Sequence, residues 1–132
     1  MATRLPTLGE SNWSQPLNNY IYNQLSLELN TINDLKNLDL NEIPVEYVRV
    51  NGYHELGDGG GGLFRFEAIG LTSDEGFIFP TEVAGMSGRW VRQTKENSVN
   101  VKWFGAKGDG QTDDYDAFQR AFSYVQNYFR PG

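Results

Sequence analysis

The chain has 132 residues, 39% of them hydrophobic, and seventeen acidic residues outnumber eleven basic ones to give a formal charge of -6. An acidic surface repels a phosphate backbone, so nucleic acid is not an expected partner. Cysteine is absent and His54 is the single histidine, which excludes disulfides, thiolate nucleophiles and multi-histidine metal sites. The sequence also predicts no signal peptide and no membrane span, since no apolar run approaches ~20 residues.

The first predicted segment, residues 1–44, is an extended arm followed by a long helix. Ser14 can cap a helix that runs to about Asn41 and stops before Pro44. Steps of three and four give a short heptad seam with one polar member: Asn18, Tyr22, Leu25, Leu29 and Ile32. We favour self-association through this seam, because an asparagine-rich helix needs partners; packing of an amphipathic helix on its own chain is the alternative.

Residues 45–94 change to a period of two and predict a small β-module. Four segments predict strands, namely VEYVRV, LFRFEA, FIFPTEV and RWVRQ. The stretch GDGGGG, residues 57–62, is too costly in backbone entropy for regular structure and predicts a loop. The lysine and the helix start that a phosphate-binding loop requires do not follow it, so we interpret it as a structural turn, with a ligand loop as the alternative.

Residues 95–132 predict a polar linker, the strand VNVKWF, the turn GAKGDGQ and a helix. Thr112 or Asp113 is the predicted N-cap, and Asp113, Asp114 and Asp116 fall where the positive end of the helix dipole favours carboxylates. Steps of three and four predict one apolar helix face, made of Ala117, Phe118, Ala121, Phe122, Val125 and Phe129.

Candidate chemistry is limited to carboxylates and aromatic residues. Asp113 and Asp116 could form a carboxylate pair for sugar hydrolysis or Ca²⁺, but dipole complementation explains them with no further assumption. The tryptophans could stack on sugars, although Trp13, Trp90 and Trp103 are more typical of core anchors in a chain of this composition. His54 has no evident relay partner. We therefore predict no catalytic residue, no metal and no cofactor.

The stretch WFGAKGDGQTDDYDAFQRAF resembles the start of the pectate-lyase-like right-handed β-helix family. Members often begin with a strand, FGAKGDGxTDD and a helix of the form AFQxAF. The resemblance implies that the helix caps the N-terminal end of a β-helix and that the preceding turn is structural, with Gly105, Gly108, Asp109, Gly110, Thr112, Asp113 and Asp114 as its residues. The family's catalytic carboxylates lie on later strands, so none can be transferred to this chain.

Two further stretches resemble parts of bacteriophage tailspikes. GDGGGGLFRFEA followed by GRWVRQ is similar to a small β-module that precedes the β-helix, and LPTLGESNWSQPLNNYI is similar to arms that insert into the phage tail. The three matches follow one another in tailspike order. The resemblance implies a modular α+β protein with a virion-anchoring arm and helix that form a parallel trimeric coil, a β-module, and the strand and capping helix of a truncated right-handed β-helix.

The predicted function is that of a structural virion component, made in the host bacterial cytoplasm, that anchors a homotrimeric tailspike to a phage tail or baseplate protein for host attachment. Host surface polysaccharide would be bound only through an absent downstream domain, and we predict no enzyme activity for this chain. The expected docking and oligomerisation residues are Trp13, Leu17, Tyr20, Ile21, Tyr22, Leu25, Leu29 and Ile32. Two alternatives remain: an adaptor that carries a separate spike, and the N-terminal piece of a polysaccharide lyase or hydrolase that contributes part of the substrate groove.

Overall fold

A computed structural model describes residues 27–128 of the chain. Its strands are β1 Leu27–Leu29, β2 Tyr47–Val50, β3 Gly62–Glu67, β4 Ile78–Pro80 and β5 Arg89–Gln93. They form one sheet in the order β1-β2-β3-β5-β4, in which β1 and β2 are parallel and the other neighbours antiparallel. The helices are α1 Ile32–Lys36, a 3-10 helix Val101–Phe104 and α2 Tyr115–Tyr128. A small mixed sheet with helices agrees with the predicted modular α+β class.

The four predicted strands are confirmed as β2 to β5. Val48 and Val50 of β2 are buried while Arg49 between them is exposed. On the same face of the sheet, Phe64 pairs with Val48 in register. The predicted loop between β2 and β3 is also present, and only its last glycine belongs to β3.

One face of the sheet is covered by α1, and the buried residues between them form what we call the sheet cluster. Phe64 and Phe79 meet there edge to face, with ring centroids 5.6 Å apart. Burying apolar side chains of this size is the dominant favourable term in folding. The members of the sheet cluster are Ile32, Leu35, Leu38, Val48, Val50, Phe64, Phe79 and Trp90.

The long helix predicted for residues 14–41 is wrong over its described part. Leu27 and Leu29 lie in β1 instead, paired in register with β2. Thr31 then starts a separate helix of five residues through a capping box, in which its hydroxyl accepts the Asp34 amide and its own amide donates to the Asp34 carboxylate. The sheet therefore begins before the predicted module boundary at residue 45.

Burial against the sheet explains this correction. Asparagine is a weak helix former, and the apolar residues of α1 gain more from contact with the sheet than from a continuous helix. Ile32 is 2% exposed within the sheet cluster, and Leu29 packs against that cluster. Ile32 is therefore not available for a seam between protomers, and Leu29 is partly buried against the sheet cluster and lies in a strand, outside the predicted helical seam. The predicted coil and the other docking residues lie outside the described residues: Trp13, Leu17, Tyr20, Ile21, Tyr22 and Leu25.

The predicted strand VNVKWF is also wrong, because its last four residues form the 3-10 helix Val101–Phe104. The Asn100 side chain accepts the Lys102 amide at its start, and this local hydrogen bond competes with strand pairing. Gly105 ends the helix with a φ of 96°, a left-handed value that glycine adopts without steric cost.

Residues 99–128, which we call the C-terminal unit, pack against the loop before β4 through a second apolar cluster. Phe77 stacks on Tyr124 of α2, with ring centroids 3.9 Å apart. Among the helices of residues 27–128, none is long and apolar enough to cross a membrane. The helix cluster, as we call this second cluster, consists of Phe77, Ile78, Phe104, Ala106, Ala117 and Ala121.

Candidate functional site

The turn from the 3-10 helix to α2 is held by its own aspartates. The carboxylate of Asp109 accepts the Thr112 amide at 2.7 Å, the Gln111 amide at 2.9 Å and the Thr112 hydroxyl at 2.9 Å. These hydrogen bonds hold the pKa of Asp109 at about 2. Left-handed backbone angles fall on glycine, with φ of 96° at Gly105, 63° at Gly108 and 76° at Gly110.

Asp114 occupies the N-cap position of α2, where its carbonyl accepts the Phe118 amide at 3.0 Å. Its carboxylate reaches back along the chain and accepts the amides of Lys107 and Gly108 at 3.0 and 2.9 Å, which lowers its pKa. Asp114 thus joins the helix start to the turn.

The predicted N-cap was misplaced by one or two residues. Thr112 is engaged with Asp109 and does not cap α2. Asp113 lies before the helix, and its carboxylate accepts the Tyr115 amide at 3.0 Å. A carboxylate pair with Asp116 on one helix side is therefore not formed. Within residues 27–128, no group of three or more acidic or histidine side chains could hold a metal ion.

The glycine loop between β2 and β3 is organised by Asp58. Its carboxylate accepts the backbone amides of Tyr53, His54, Glu55 and Gly60 at 2.7 to 3.1 Å. Partial burial raises the pKa of Asp58, but the four amides outweigh it and hold the pKa at about 2. The loop therefore satisfies its free amides internally.

The carbonyl groups of the same loop bind a buried arginine that the sequence pattern did not single out. Arg92 of β5 is 5% exposed, and its guanidinium donates to the carbonyls of Gly60 and Gly61. A phosphate-binding loop presents amides to an anion, whereas this loop presents carbonyls to a cation. Register could have identified Arg92, because it lies two residues after Trp90 and so shares the buried face of β5.

The tryptophan and histidine candidates have structural surroundings. Trp90 is fully buried in the sheet cluster, as expected of a core anchor. Trp103 is half-buried, with its ring centroid 4.9 Å from the guanidinium carbon of Arg92. The exposed His54 ring lies with Nε2 2.8 Å from the Gly105 carbonyl, so it connects the glycine loop to the turn. Trp13 lies outside the described residues.

The helix α2 has two apolar sides, and one of them is uncovered. Ala117 and Ala121 are buried in the helix cluster. Phe118 and Phe122 are 52% and 60% exposed, although sequence spacing predicted a single apolar face for all four. Large exposed apolar patches mark contact surfaces. The exposed stripe, as we call this surface, consists of Tyr115, Phe118, Phe122 and Val125.

A polar groove of about 310 Å³ runs between residues 72–74 and the side of α2. Hydroxyl and amide groups line it together with Arg120, whose guanidinium donates to the Phe104 carbonyl at 2.7 Å. Tyr124 and Tyr128 stack at its end, with ring centroids 4.5 Å apart. Aromatic rings beside polar side chains form a surface that suits polar ligands.

The mixed sheet corresponds to a known protein family. The family described as "Phage tail protein small four-stranded beta-sheet domain" matches residues 28–95, which is more than half of the chain. The chain belongs to this family of phage tail proteins. The match begins inside β1, in agreement with a sheet that starts before residue 45. No curated protein matches the sequence.

Three solved structures have folds similar to this phage tail protein. Pantoea stewartii WceF, a glycan biofilm modifying enzyme with a bacteriophage tailspike-like parallel beta-helix fold, has a TM-score of 0.64 at 22% identity over 84% of this chain. Bacteriophage CBA120 tailspike protein 2, in its enzymatically active domain, has a TM-score of 0.59 at 27% identity over 81%. The tailspike protein of Acinetobacter baumannii phage AM24 has a TM-score of 0.55 at 24% identity over 94%.

The phage tail protein spans only a small part of these structures, namely 16%, 14% and 19% of their chains in the same order. Together with the family, they confirm the predicted resemblance to the N-terminal part of a phage tailspike. The enzymatic descriptions of the first two concern proteins several times longer than the matched region.

Proposed function

We propose that this chain is the anchoring portion of a tailspike and connects a receptor-binding β-helix to a phage tail or baseplate protein. The observation that carries the proposal is the order of parts: a sheet of a phage tail family is followed, after a 3-10 helix and a turn, by a helix with an exposed apolar stripe. The family supports the role in the tail, and the helix supports a connection to a further domain.

The exposed stripe of α2 is the surface that we assign to that connection. Phe118 and Phe122 are each more than half exposed, and burying a phenylalanine side chain contributes about 1.5–3 kcal/mol. Because the helix cluster covers a different side of α2, a downstream β-helix could pack on the stripe without displacing any described contact. In this arrangement α2 is the cap of the β-helix.

Attachment to the tail is assigned to residues that precede β1. Leu29 lies in β1 and Ile32 is buried in the sheet cluster, so the proposed docking surface is reduced to Trp13, Leu17, Tyr20, Ile21, Tyr22 and Leu25. A homotrimer fits the role. Light scattering should give three times the chain mass of 14.9 kDa, or a monomer that assembles only with its tail partner. A stable monomer that does not bind tail particles would contradict the assignment.

The docking test uses phage particles assembled without the spike and the fluorescently labelled chain. We expect saturable binding, and a loss of at least about tenfold for Tyr22→Asp combined with Leu25→Asp, because a charge is costly in a buried apolar contact. Leu71→Asp is the matched control, since Leu71 is 48% exposed on the surface of the described part. Equal binding by the docking variant, or no binding by the wild type, would refute the proposal.

The second candidate function is a contribution to a saccharide groove in a longer lyase or hydrolase. The polar groove beside α2, with Tyr128 58% exposed at its end, favours it. Reducing-sugar release from bacterial surface polysaccharide by the isolated chain would support this function. We expect none, because Asp58, Asp109 and Asp114 are committed to backbone amides and leave no free carboxylate pair in their turns.

The adaptor alternative shares the exposed stripe but requires a separate spike. Mixing the labelled chain with a β-helix domain produced as a separate protein distinguishes the two. Tight association in trans would favour the adaptor, whereas a stable trimer formed only by the continuous polypeptide would favour the anchor.

A further inference from the structure

Arg92 connects parts of the chain that are distant in sequence. Its guanidinium donates to carbonyls in the glycine loop, to the Gly76 carbonyl at 2.8 Å through Nε, and to the Trp103 carbonyl at 3.4 Å through Nη2. Its guanidinium carbon also lies near three aromatic rings, 4.8 Å from the centroid of Phe64, 4.9 Å from that of Trp103 and 5.9 Å from that of Phe77. One side chain thus contacts the sheet, two loops and the C-terminal unit.

The position is unusual for a charged group. Only 5% of the Arg92 surface is exposed to solvent. Within residues 27–128, no acidic side chain forms an ion pair with it. Burial lowers the pKa of Arg92 to about 9, so the group remains charged at neutral pH. Burying a charged group costs free energy unless polar or aromatic groups stabilise the charge. The guanidinium of Arg92 is surrounded by both backbone carbonyls and aromatic rings.

The surrounding glycines are adapted to this arginine. A Cβ atom on Gly62 would overlap Nη1 of Arg92, and one on Gly60 would overlap the Lys102 carbonyl. On the other side, a Cβ atom on Gly76 would overlap the Phe104 ring. Glycine is therefore required where the loops approach the guanidinium and the C-terminal unit closely. The glycine-rich sequence has a role here that does not involve a ligand.

We propose that Arg92 is a positioning residue that locks the sheet and the C-terminal unit into one rigid body. A planar guanidinium can hold several carbonyls in fixed directions, which an apolar side chain of the same length cannot do. The consequence for the virion rests on the proposed anchoring function: rotation of the sheet would be passed directly to the domain that follows α2.

The first test needs no substitution. Residual dipolar couplings of the wild-type chain, measured by NMR, should fit a single alignment tensor for amides of the sheet and of α2. Two different tensors would show independent motion and overturn the proposal. Because the measurement uses the isolated chain, it fails or succeeds separately from binding to tail particles.

The second test compares Arg92→Met with Arg65→Met by amide hydrogen exchange. Arg65 lies on the exposed face of the neighbouring strand β3, so its replacement is the matched control. In Arg92→Met, the ratio of the α2 exchange rate to the sheet exchange rate should rise at least about tenfold over the wild type. The reason is that α2 could then open locally at a lower free energy than global unfolding requires. An unchanged ratio would overturn the proposal. Arg92→Lys retains the charge without the planar group, and full protection of α2 in that variant would likewise contradict it. If Arg92→Met does not fold, the comparison of Arg92→Lys with the wild type decides.

Discussion

The two apolar clusters of this phage tail protein differ in how completely they are enclosed. In the sheet cluster, Phe64, Phe79 and Trp90 are all 0% exposed, and α1 closes the face. In the C-terminal unit, α2 buries two alanines on one side and leaves Phe118 and Phe122 more than half exposed on another. The sheet therefore buries its largest apolar side chains within the described residues, whereas the C-terminal unit leaves large apolar side chains exposed to solvent.

The largest expected effect on stability comes from removing the side chain of Trp90, which is fully buried in the sheet cluster. Trp90→Ala should lower the free energy of unfolding by about 3–5 kcal/mol, because a fully buried tryptophan leaves a large cavity. Urea denaturation followed by circular dichroism measures it. Trp103→Ala is the control and should cost less, since Trp103 is only half-buried. Equal losses would mean that the two regions are equally enclosed.

A smaller effect is expected where the two regions touch. Gly76→Ala would place a Cβ atom against the Phe104 ring, and overpacking of this kind costs about 1–3 kcal/mol. Gly70→Ala is a matched control, because no atom lies within 4 Å of its added Cβ. Thermal unfolding of both variants measures the difference. A Gly76→Ala protein as stable as Gly70→Ala would mean that the contact between the regions is looser than described.

The parts of the fold that could be predicted from sequence are those with local signals. Apolar and β-branched strand segments identified β2 to β5; β2 and β5 alternate in burial along the strand, whereas Ile78 and Phe79 of β4 are both buried, one in each cluster. Motif and spacing identified α2, but they could not show that its alanines are buried while Phe118 and Phe122 stay exposed. That division depends on which element packs on the helix, and Phe77 comes from a distant loop.

The parts that could not be predicted depend on pairing across the chain. The three residues of β1 also fit a helical repeat, and only their parallel pairing with β2 makes them a strand. Alternation in VNVKWF predicted a strand, but Asn100 caps the 3-10 helix and Gly105 ends it. The hydrogen bonds of the turn could not be read from the sequence, because Asp114 accepts the amides of Lys107 and Gly108, seven and six positions away.

The acid sensitivity of the sheet would sharpen the comparison further. The pKa of Asp58 is about 2 in the folded state and about 3.9 in the unfolded chain, so its contribution is complete above pH 4 and is lost as pH falls towards 2. Solvent screening limits this contribution to about 1 kcal/mol. Urea unfolding between pH 2 and 6 measures it. Asp58→Asn should flatten the profile, and a profile that is unchanged by Asp58→Asn would assign the acid sensitivity to other groups.

The smallest effect is expected on the exposed stripe of the isolated chain. In the double variant Phe118→Ser, Phe122→Ser, each substitution should change the free energy of unfolding by no more than about 0.5 kcal/mol. An exposed side chain contributes little to stability, so its removal costs little. Binding of a hydrophobic dye should fall in parallel. In a longer protein that places a β-helix on the stripe, the same pair should cost several-fold more, since both rings would then be buried. A large loss of stability in the isolated chain would mean instead that copies of the chain already cover the exposed stripe in solution. The double substitution therefore measures directly whether the stripe is uncovered in the isolated chain.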